Sequence, residues 1–171
     1  MQDIFTAGSN SSSATIECGL AELINHPEAM EKVREEIDRV VGKDRAVEET
    51  DLANLPYLQA VLKETMRLHP AAPVCSTGRR GSWRTWWRSM SGGQHFQLLP
   101  FGSGRRGCPG MVQAMQVVSV TVAAVVQGFE GEVVGGEGRV DMEEKEGMVA
   151  SRQRPLVLVP VARFDAFPAL A

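Results

Sequence analysis

Apolar residues recur at helical spacing through the first part of the chain, and the pattern changes after Gly128. Between residues 3 and 23, Ile4, Ala7, Ile16, Leu20 and Leu23 fall on that period and predict a helix. Its middle, residues 8–13, holds Gly, Asn and serines, which are weak helix formers. That patch predicts a local distortion or a site facing something polar. His26 and Pro27 end this helix and start the next, with Pro27 suited to the first helical position and Glu28 to the first turn. Met30, Val33, Ile37, Val40 and Val41 form one apolar stripe, whereas Glu31, Lys32, Glu35, Glu36 and Arg39 are expected to face water. Gly42 is the expected stop. Asn54 and Pro56 open a third helix that runs to about Leu68 and buries Leu58, Val61, Leu62 and Met66. His69 and Pro70 end it, and Pro73 keeps the following chain extended. Residues 109–127 predict a fourth helix, apolar nearly all round and therefore buried, ended by Gly128. Beyond it, Gly135, Gly136 and Gly138 mark turns, and β-rich pieces flank these turns and an acidic loop, DMEEKEG. The later piece, residues 156–161, carries Pro160 and suits an edge strand. The expected fold class is mainly α with a small β portion.

Composition sharpens this picture in one place. The chain has 171 residues, with 18 Lys and Arg against 21 Asp and Glu, a net charge of −3. That is the size and balance of one ordinary domain. Yet no Asp or Glu stands between Glu64 and Glu130, while Arg67, Arg79, Arg80, Arg84, Arg88, Arg105 and Arg106 and all three Trp fall inside that window. No run reaches the roughly 18–20 apolar residues of a membrane span; the best candidate, residues 117–126, is short and includes Ser119 and Thr121. The start of the chain has no charged or apolar leader pattern, and Cys18, Cys75 and Cys108 suggest neither a disulfide framework nor a zinc site. The expectation is a soluble chain of a reducing compartment. Residues 78–93, GRRGSWRTWWRSMSGG, mix basic and aromatic side chains in a way that could grip nucleic acid or a membrane surface. No folded scaffold surrounds them, so the segment reads as irregular and foreign to its neighbours, and no nucleic-acid partner is expected.

The chemistry concentrates in residues 101–110, FGSGRRGCPG. Gly102, Gly104 and Gly107 spell the dinucleotide fingerprint, but the lead-in Leu98, Leu99 and Pro100 is too short and broken to be the strand that motif requires. A second reading centres on Cys108. It stands just ahead of the fourth helix, where free N–H groups and the helix dipole favour a thiolate. A thiolate is a strong metal ligand, and the glycines let backbone N–H groups approach its sulfur and tune a bound iron. Arg106 could pair with a cofactor carboxylate, and Phe101 could stack on a planar cofactor.

Phe101, Gly104, Arg106, Cys108 and Gly110 fill every fixed position of FxxGxRxCxG, and the loop resembles the haem-ligand loop of the cytochrome P-450 monooxygenases. At average residue usage such a match arises on the order of once in ten thousand chains of this length, or less often. Glu64 and Arg67, in KETMRLHP, are similar to that family's ExxR helix, with His69, Pro70 and Pro73 after them. FTAGSNSSS resembles the family's oxygen-activating groove. Ala7 and Gly8 fit it, Ser11 or Ser12 supplies the alcohol, and Asn10 stands where the family has an acid. An amide hydrogen-bonds but does not shuttle a proton as a carboxylate does. The strings MQDIFTAG, AELINHPE, VVGKDR, NLPYLQA, LPFGSGRRGCPG, VDMEEK and PVARF are similar to plant flavone synthases, flavanone 2-hydroxylases and isoflavone synthases.

The resemblance implies an incomplete, C-terminal part of the cytochrome P-450 fold. Residues 1–77 would run from the oxygen groove to the ExxR helix, and 78–93 would be an atypical insert replacing the family's connector. Residues 94–128 would be the haem loop and buried helix, and 129–171 the C-terminal β region. It further implies haem b on Cys108 as axial iron ligand, in a loop shaped by Phe101, Gly104, Arg106 and Gly110. Asn10 and Ser11 would be catalytic, and Glu64 and Arg67 structural. Electrons would come from NADPH through an NADPH–cytochrome reductase, and the substrate would be a small hydrophobic flavonoid. The family location is the endoplasmic reticulum membrane; without the family's N-terminal anchor the expected location becomes cytoplasmic. Only 33 positions separate Leu68 from Phe101, far fewer than the family's connector. Two functional readings follow: a haem-thiolate oxygenase, or a truncated, non-catalytic remnant of one.

Overall fold

The computed structural model describes residues 2–72, 100–102, 105, 107–134, 139–145, 147 and 149–164. The protein is mainly α with a small β portion. Helices α1 (Gln2–Asn25), α2 (Pro27–Val40), α3 (Pro56–Leu68) and α4 (Met111–Gly128) are joined by a short 3-10 helix, Glu49–Asn54. Strand β1 (Phe129–Val133) pairs antiparallel with β4 (Leu158–Ala162), and β2 (Glu144–Lys145) with β3 (Ser151–Arg152). The four helices share one core, built from Leu23 of α1, Val33 and Ile37 of α2, Leu58 and Leu62 of α3, and Val118, Val122 and Val126 of α4. Burying such aliphatic side chains contributes about 1.5–3 kcal/mol each, and this is what holds the helices together.

Helix α1 runs unbroken through residues 8–13, so the expected distortion is absent. The hydroxyls there serve their own helix: Ser11 donates to the Ala7 carbonyl (2.6 Å), Ser13 to Asn10 (3.1 Å) and Thr15 to Ser11 (2.9 Å). Helix α2 begins at Pro27 as expected, and Gly42, at φ 81°, takes the left-handed conformation past its end. Val33, Ile37 and Val41 are buried as the stripe predicts.

Glu36, expected in water, is instead 5% exposed. Its two carboxylate oxygens accept the N–H groups of Tyr57 and Leu58, both at 2.9 Å. Helix α3 starts with Pro56 and has no capping side chain of its own, so a carboxylate from α2 satisfies its first turn and complements its dipole. Position 36 follows Val33 by one helical turn; its charge, not its spacing, misdirects the sequence reading.

Buried Gln127 of α4 pins the loop after α2. Its Oε1 accepts from Val47 N–H (3.0 Å), and its Nε2 donates to the Gly42 and Arg45 carbonyls (3.1 and 2.9 Å). Arg45 forks onto Asp51 at 2.6 and 2.7 Å, and Asp51 also accepts Glu48 N–H at 2.9 Å. The guanidinium and that backbone bond hold the Asp51 carboxyl down at about 2.

Helix α4 departs from expectation at its beginning. It starts at Met111 rather than residue 109, and Met111, Val112 and Val117 are 42%, 67% and 44% exposed. Burial begins at Val118. The helix is also long and apolar enough to cross a membrane, because its polar residues Gln113, Gln116, Ser119, Thr121 and Gln127 are uncharged. The search for an uninterrupted apolar run misses this. At the far end, Arg163 donates to the Val126 and Gln127 carbonyls (3.3 and 3.1 Å) while paired with Asp38 (3.0 Å), which closes the C-terminus of α4. Pro160 lies opposite Gly131 in the two-stranded β1–β4 sheet, where each strand is an edge, as expected. The β2–β3 pair, inside and after the acidic loop, is not foreseen by the sequence pattern.

Two measurements test these contacts. Glu36→Ala leaves two N–H groups at the start of α3 without an acceptor and should cost about 2–3 kcal/mol in denaturant unfolding, against less than half that for Glu36→Gln. The lowered carboxyl of Asp51 contributes stability above its unfolded value near 3.9 that fades as pH falls toward about 2. With Arg45 half-exposed, this should amount to about 1 kcal/mol, and Asp51→Asn should flatten the acid limb of the stability curve between those pH values.

Candidate haem-thiolate site

Among the described residues of the loop before α4, Cys108 N–H donates to the Phe101 carbonyl at 2.8 Å and draws the ends of the loop together. Gly102, at φ 68°, makes the turn that allows it, a conformation that disfavours any residue with a Cβ. Pro109 and Gly110 form a turn, and Ala114 N–H donates to the Gly110 carbonyl at 2.8 Å as the helix begins. Gly110 is thus the N-cap, and Cys108 sits two residues outside it rather than directly at the helix start. The thiol is free and exposed. A side chain on Gly110 would touch the Cys108 sulfur at 4.0 Å, so glycine there leaves the approach to the sulfur open. Next to it, exposed Met111 and Val112 form an apolar shelf.

These features fit a flat, apolar, iron-bearing macrocycle. A lone thiolate cannot hold an iron by itself, and among the described residues no group of three His, Cys, Asp or Glu is placed to do so. A prebuilt macrocycle supplies the remaining ligands, so one exposed cysteine on a pinned loop suffices. Gly104 and Arg106 lie outside the described residues, as do Pro73, Cys75 and residues 78–93.

On α3, Arg67 grips Glu64 through both its Nε (2.8 Å) and a terminal nitrogen (2.7 Å). The two residues are one helical turn apart, and the carboxylate pushes the Arg67 guanidinium further up in basicity. Asn10 and Ser11 lie in the N-terminal half of α1. Asn10 is exposed, and the Ser11 hydroxyl proton is committed to the Ala7 carbonyl. Among the described residues neither makes a hydrogen bond to the Phe101–Gly110 loop, so that the groove pair and the cysteine are not directly linked.

His69 carries more than the helix stop the sequence suggests. Its Nε2 stands 2.7 Å from Glu22 of α1 and its Nδ1 2.9 Å from Glu144 of β2. Glu22 also meets His26 at 3.2 Å. These partners are 47 and 75 residues from His69, a separation that leaves no local trace. Elsewhere, Leu20, Ile24, Met30, Val125, Phe129 and Leu158 line an apolar groove between the helices and the β1–β4 sheet, with none of the described residues of the haem-type loop in its lining.

Comparison with known proteins matches the family model described as Cytochrome P450 to residues 1–81 and 85–159. The chain is similar to 3,9-dihydroxypterocarpan 6A-monooxygenase of Glycine max, at 42% identity over 99% of this chain and 41% of that protein. It is 38% identical to 2-hydroxyisoflavanone synthase of Glycyrrhiza echinata, over 98% of this chain and 42% of that protein. It is 39% identical to iridoid oxidase of Catharanthus roseus, over 95% of this chain and 39% of that protein. The chain spans about two fifths of the length of these relatives. The first match extends over 210 positions, 39 more than the 171 residues of the chain, so the relative holds segments with no counterpart here. The break in the family match, residues 82–84, falls inside the foreign Trp- and Arg-rich stretch. Because that match resumes beyond the break and carries on through the cysteine loop and α4 into the start of β4, the chain belongs to the cytochrome P450 family.

Proposed function

We propose that this chain is the haem-loop portion of a flavonoid-oxidising monooxygenase, with Cys108 as the axial ligand of a haem b iron. The carrying observation is the pinned loop itself: an exposed, free Cys108 fixed to Phe101 through its backbone. Bound there, haem would supply dioxygen activation, fed by NADPH electrons through a reductase. Phe101 and Gly110 shape the described part of the loop, and Gly104 and Arg106 complete the motif. Arg67 and Glu64 brace α3. The absence of acidic residues between Glu64 and Glu130 suits a cofactor bearing two carboxylates.

The substrate class is a small hydrophobic flavonoid. Supporting it, the similar proteins include one named for a pterocarpan and one for an isoflavanone. Proton delivery is where this chain is weakest. Asn10 can orient a group by hydrogen bonding but holds no acidic proton, and Ser11 spends its own on the helix backbone. The family setting would be the endoplasmic reticulum membrane, and no nucleic acid is involved. The segments follow the same division: groove to ExxR helix in residues 1–77, a deletion scar in 78–93, haem loop and α4 in 94–128, and the β region in 129–171.

A second reading, a non-catalytic remnant, is favoured by specific observations. Against its relative the chain lacks positions inside the match. Met111, Val112, Val117, Val157, Val159 and Val161 are exposed, apolar surface that an intact neighbour would cover.

Expressed with haem supplied, reduced and exposed to carbon monoxide, the chain should show a thiolate-type Soret band that Cys108→Ser abolishes. Absence of the band in the unaltered chain would reject haem ligation and leave the remnant. In a reductase-coupled assay with a flavanone, Asn10→Asp should raise product formed per NADPH consumed by about tenfold or more, since it restores a proton-carrying group. An unchanged ratio would remove position 10 from proton delivery.

A further inference from the structure

Among the described residues, strands β2 and β3 pair through two positions, Glu144 with Arg152 and Lys145 with Ser151. A ladder this short does not hold itself, so other contacts must fix it. Within the pair, Arg152 donates to the Asp141 carbonyl at 3.0 and 2.6 Å, and Gln153 N–H to Glu143 at 2.7 Å. Outward, Ala150 N–H donates to the Ala71 carbonyl at 3.0 Å, two residues past His69. Arg152 reaches toward Glu17 of α1, but at 3.6 Å, beyond hydrogen-bond length. Asn25 of α1 holds Val140 ahead of β2 at 2.7 and 2.8 Å, and Glu17 of α1 accepts Leu156 N–H past β3 at 2.7 Å. Between these two anchors, among the described residues, the short outward side-chain contact is His69 to Glu144, at 2.9 Å, and the same ring is anchored to α1 by Glu22 at 2.7 Å. Each ring nitrogen stands within hydrogen-bond distance of a carboxylate, one on α1 and one on β2, so the ring is strung between two elements. The charged groups around it are Glu17 and Glu22 of α1, His26 after α1, Glu144 of β2 and Arg152 of β3.

We infer that His69 is a latch: it fastens the β2–β3 hairpin across α1, and when it is cut the hairpin opens as a unit while the helical core stays closed. This goes beyond the proposed oxygenase reading and needs no haem. Cys18 of α1 lies within reach of the charges of Glu144 and Arg152 on the hairpin. It is 3% exposed, and its thiol is pushed up to about 11, first by burial and then by the charge of Glu17, with Glu144 of the hairpin adding to it. Opening should therefore uncover this thiol.

Hydrogen exchange on the full chain tests the latch. In His69→Gln and in Glu144→Gln, the protection of the Ala150 and Gln153 amides should fall by about tenfold or more, while Leu62 and Val122 in the core stay within about twofold. Glu144 is 41% exposed at its side chain, so its replacement spares the core. Alkylation of Cys18, followed by peptide mass spectrometry, should quicken in His69→Gln to match. Unchanged protection at Ala150 and Gln153 would overturn the inference. So would a loss shared equally by Leu62 and Val122, because the hairpin would then open only with the whole fold.

Discussion

The seating of the C-terminal half of α4 among α1, α2 and α3 is the constraint on which the rest depends. Val118, Val122 and Val126 give that half its grip on the core, and Gln127 and Arg163 fix its end by hydrogen bonds. Once it is seated, the N-terminal half must project beyond the core. The turn at Pro109 and Gly110 then presents Cys108 at the surface, and the Phe101 carbonyl holds it there. The loop is positioned from behind, by packing some distance from the sulfur. Nothing on the sulfur's open side, among the described residues, contributes to placing it.

The same arrangement leaves apolar surface bare. An apolar helix protruding from its core is unfavourable in water unless something covers it. Met111 and Val112 stand at the mouth of the haem-type loop, where a flat macrocycle would cover them. Val159 and Val161 on β4, and Val157 just before it, are exposed on a two-stranded sheet, which is marginal alone. Both surfaces are consistent with a chain that spans about two fifths of its relatives.

Much of this was legible in the residues. Proline and glycine punctuation located α2 and α3 almost to the residue, and Pro160 pointed to an edge strand. The spacing of Phe101, Cys108 and Gly110 identified the loop, and Glu64 and Arg67 pair as their one-turn separation implies. What escaped depends on partners far along the chain. Glu36 reads as a solvated charge until the bare first turn of α3 stands beside it. His69 reads as a helix stop, because Glu22 and Glu144 are remote in sequence. The polar patch in α1 misled for the opposite reason, since its hydroxyls are satisfied within the helix itself. And a uniformly apolar α4 implied burial throughout, although amphipathic pattern alone cannot say where along a helix the neighbours stop.

The central claim is that folding of this short chain presents Cys108 as an iron ligand. Iron-edge X-ray absorption on the haem-loaded chain tests it most directly, because it reads the atoms bound to iron whether or not any oxidation occurs. The account predicts one sulfur in the iron's coordination shell, lost on Cys108→Ser. A shell of nitrogen and oxygen alone, the same in both proteins, would contradict it.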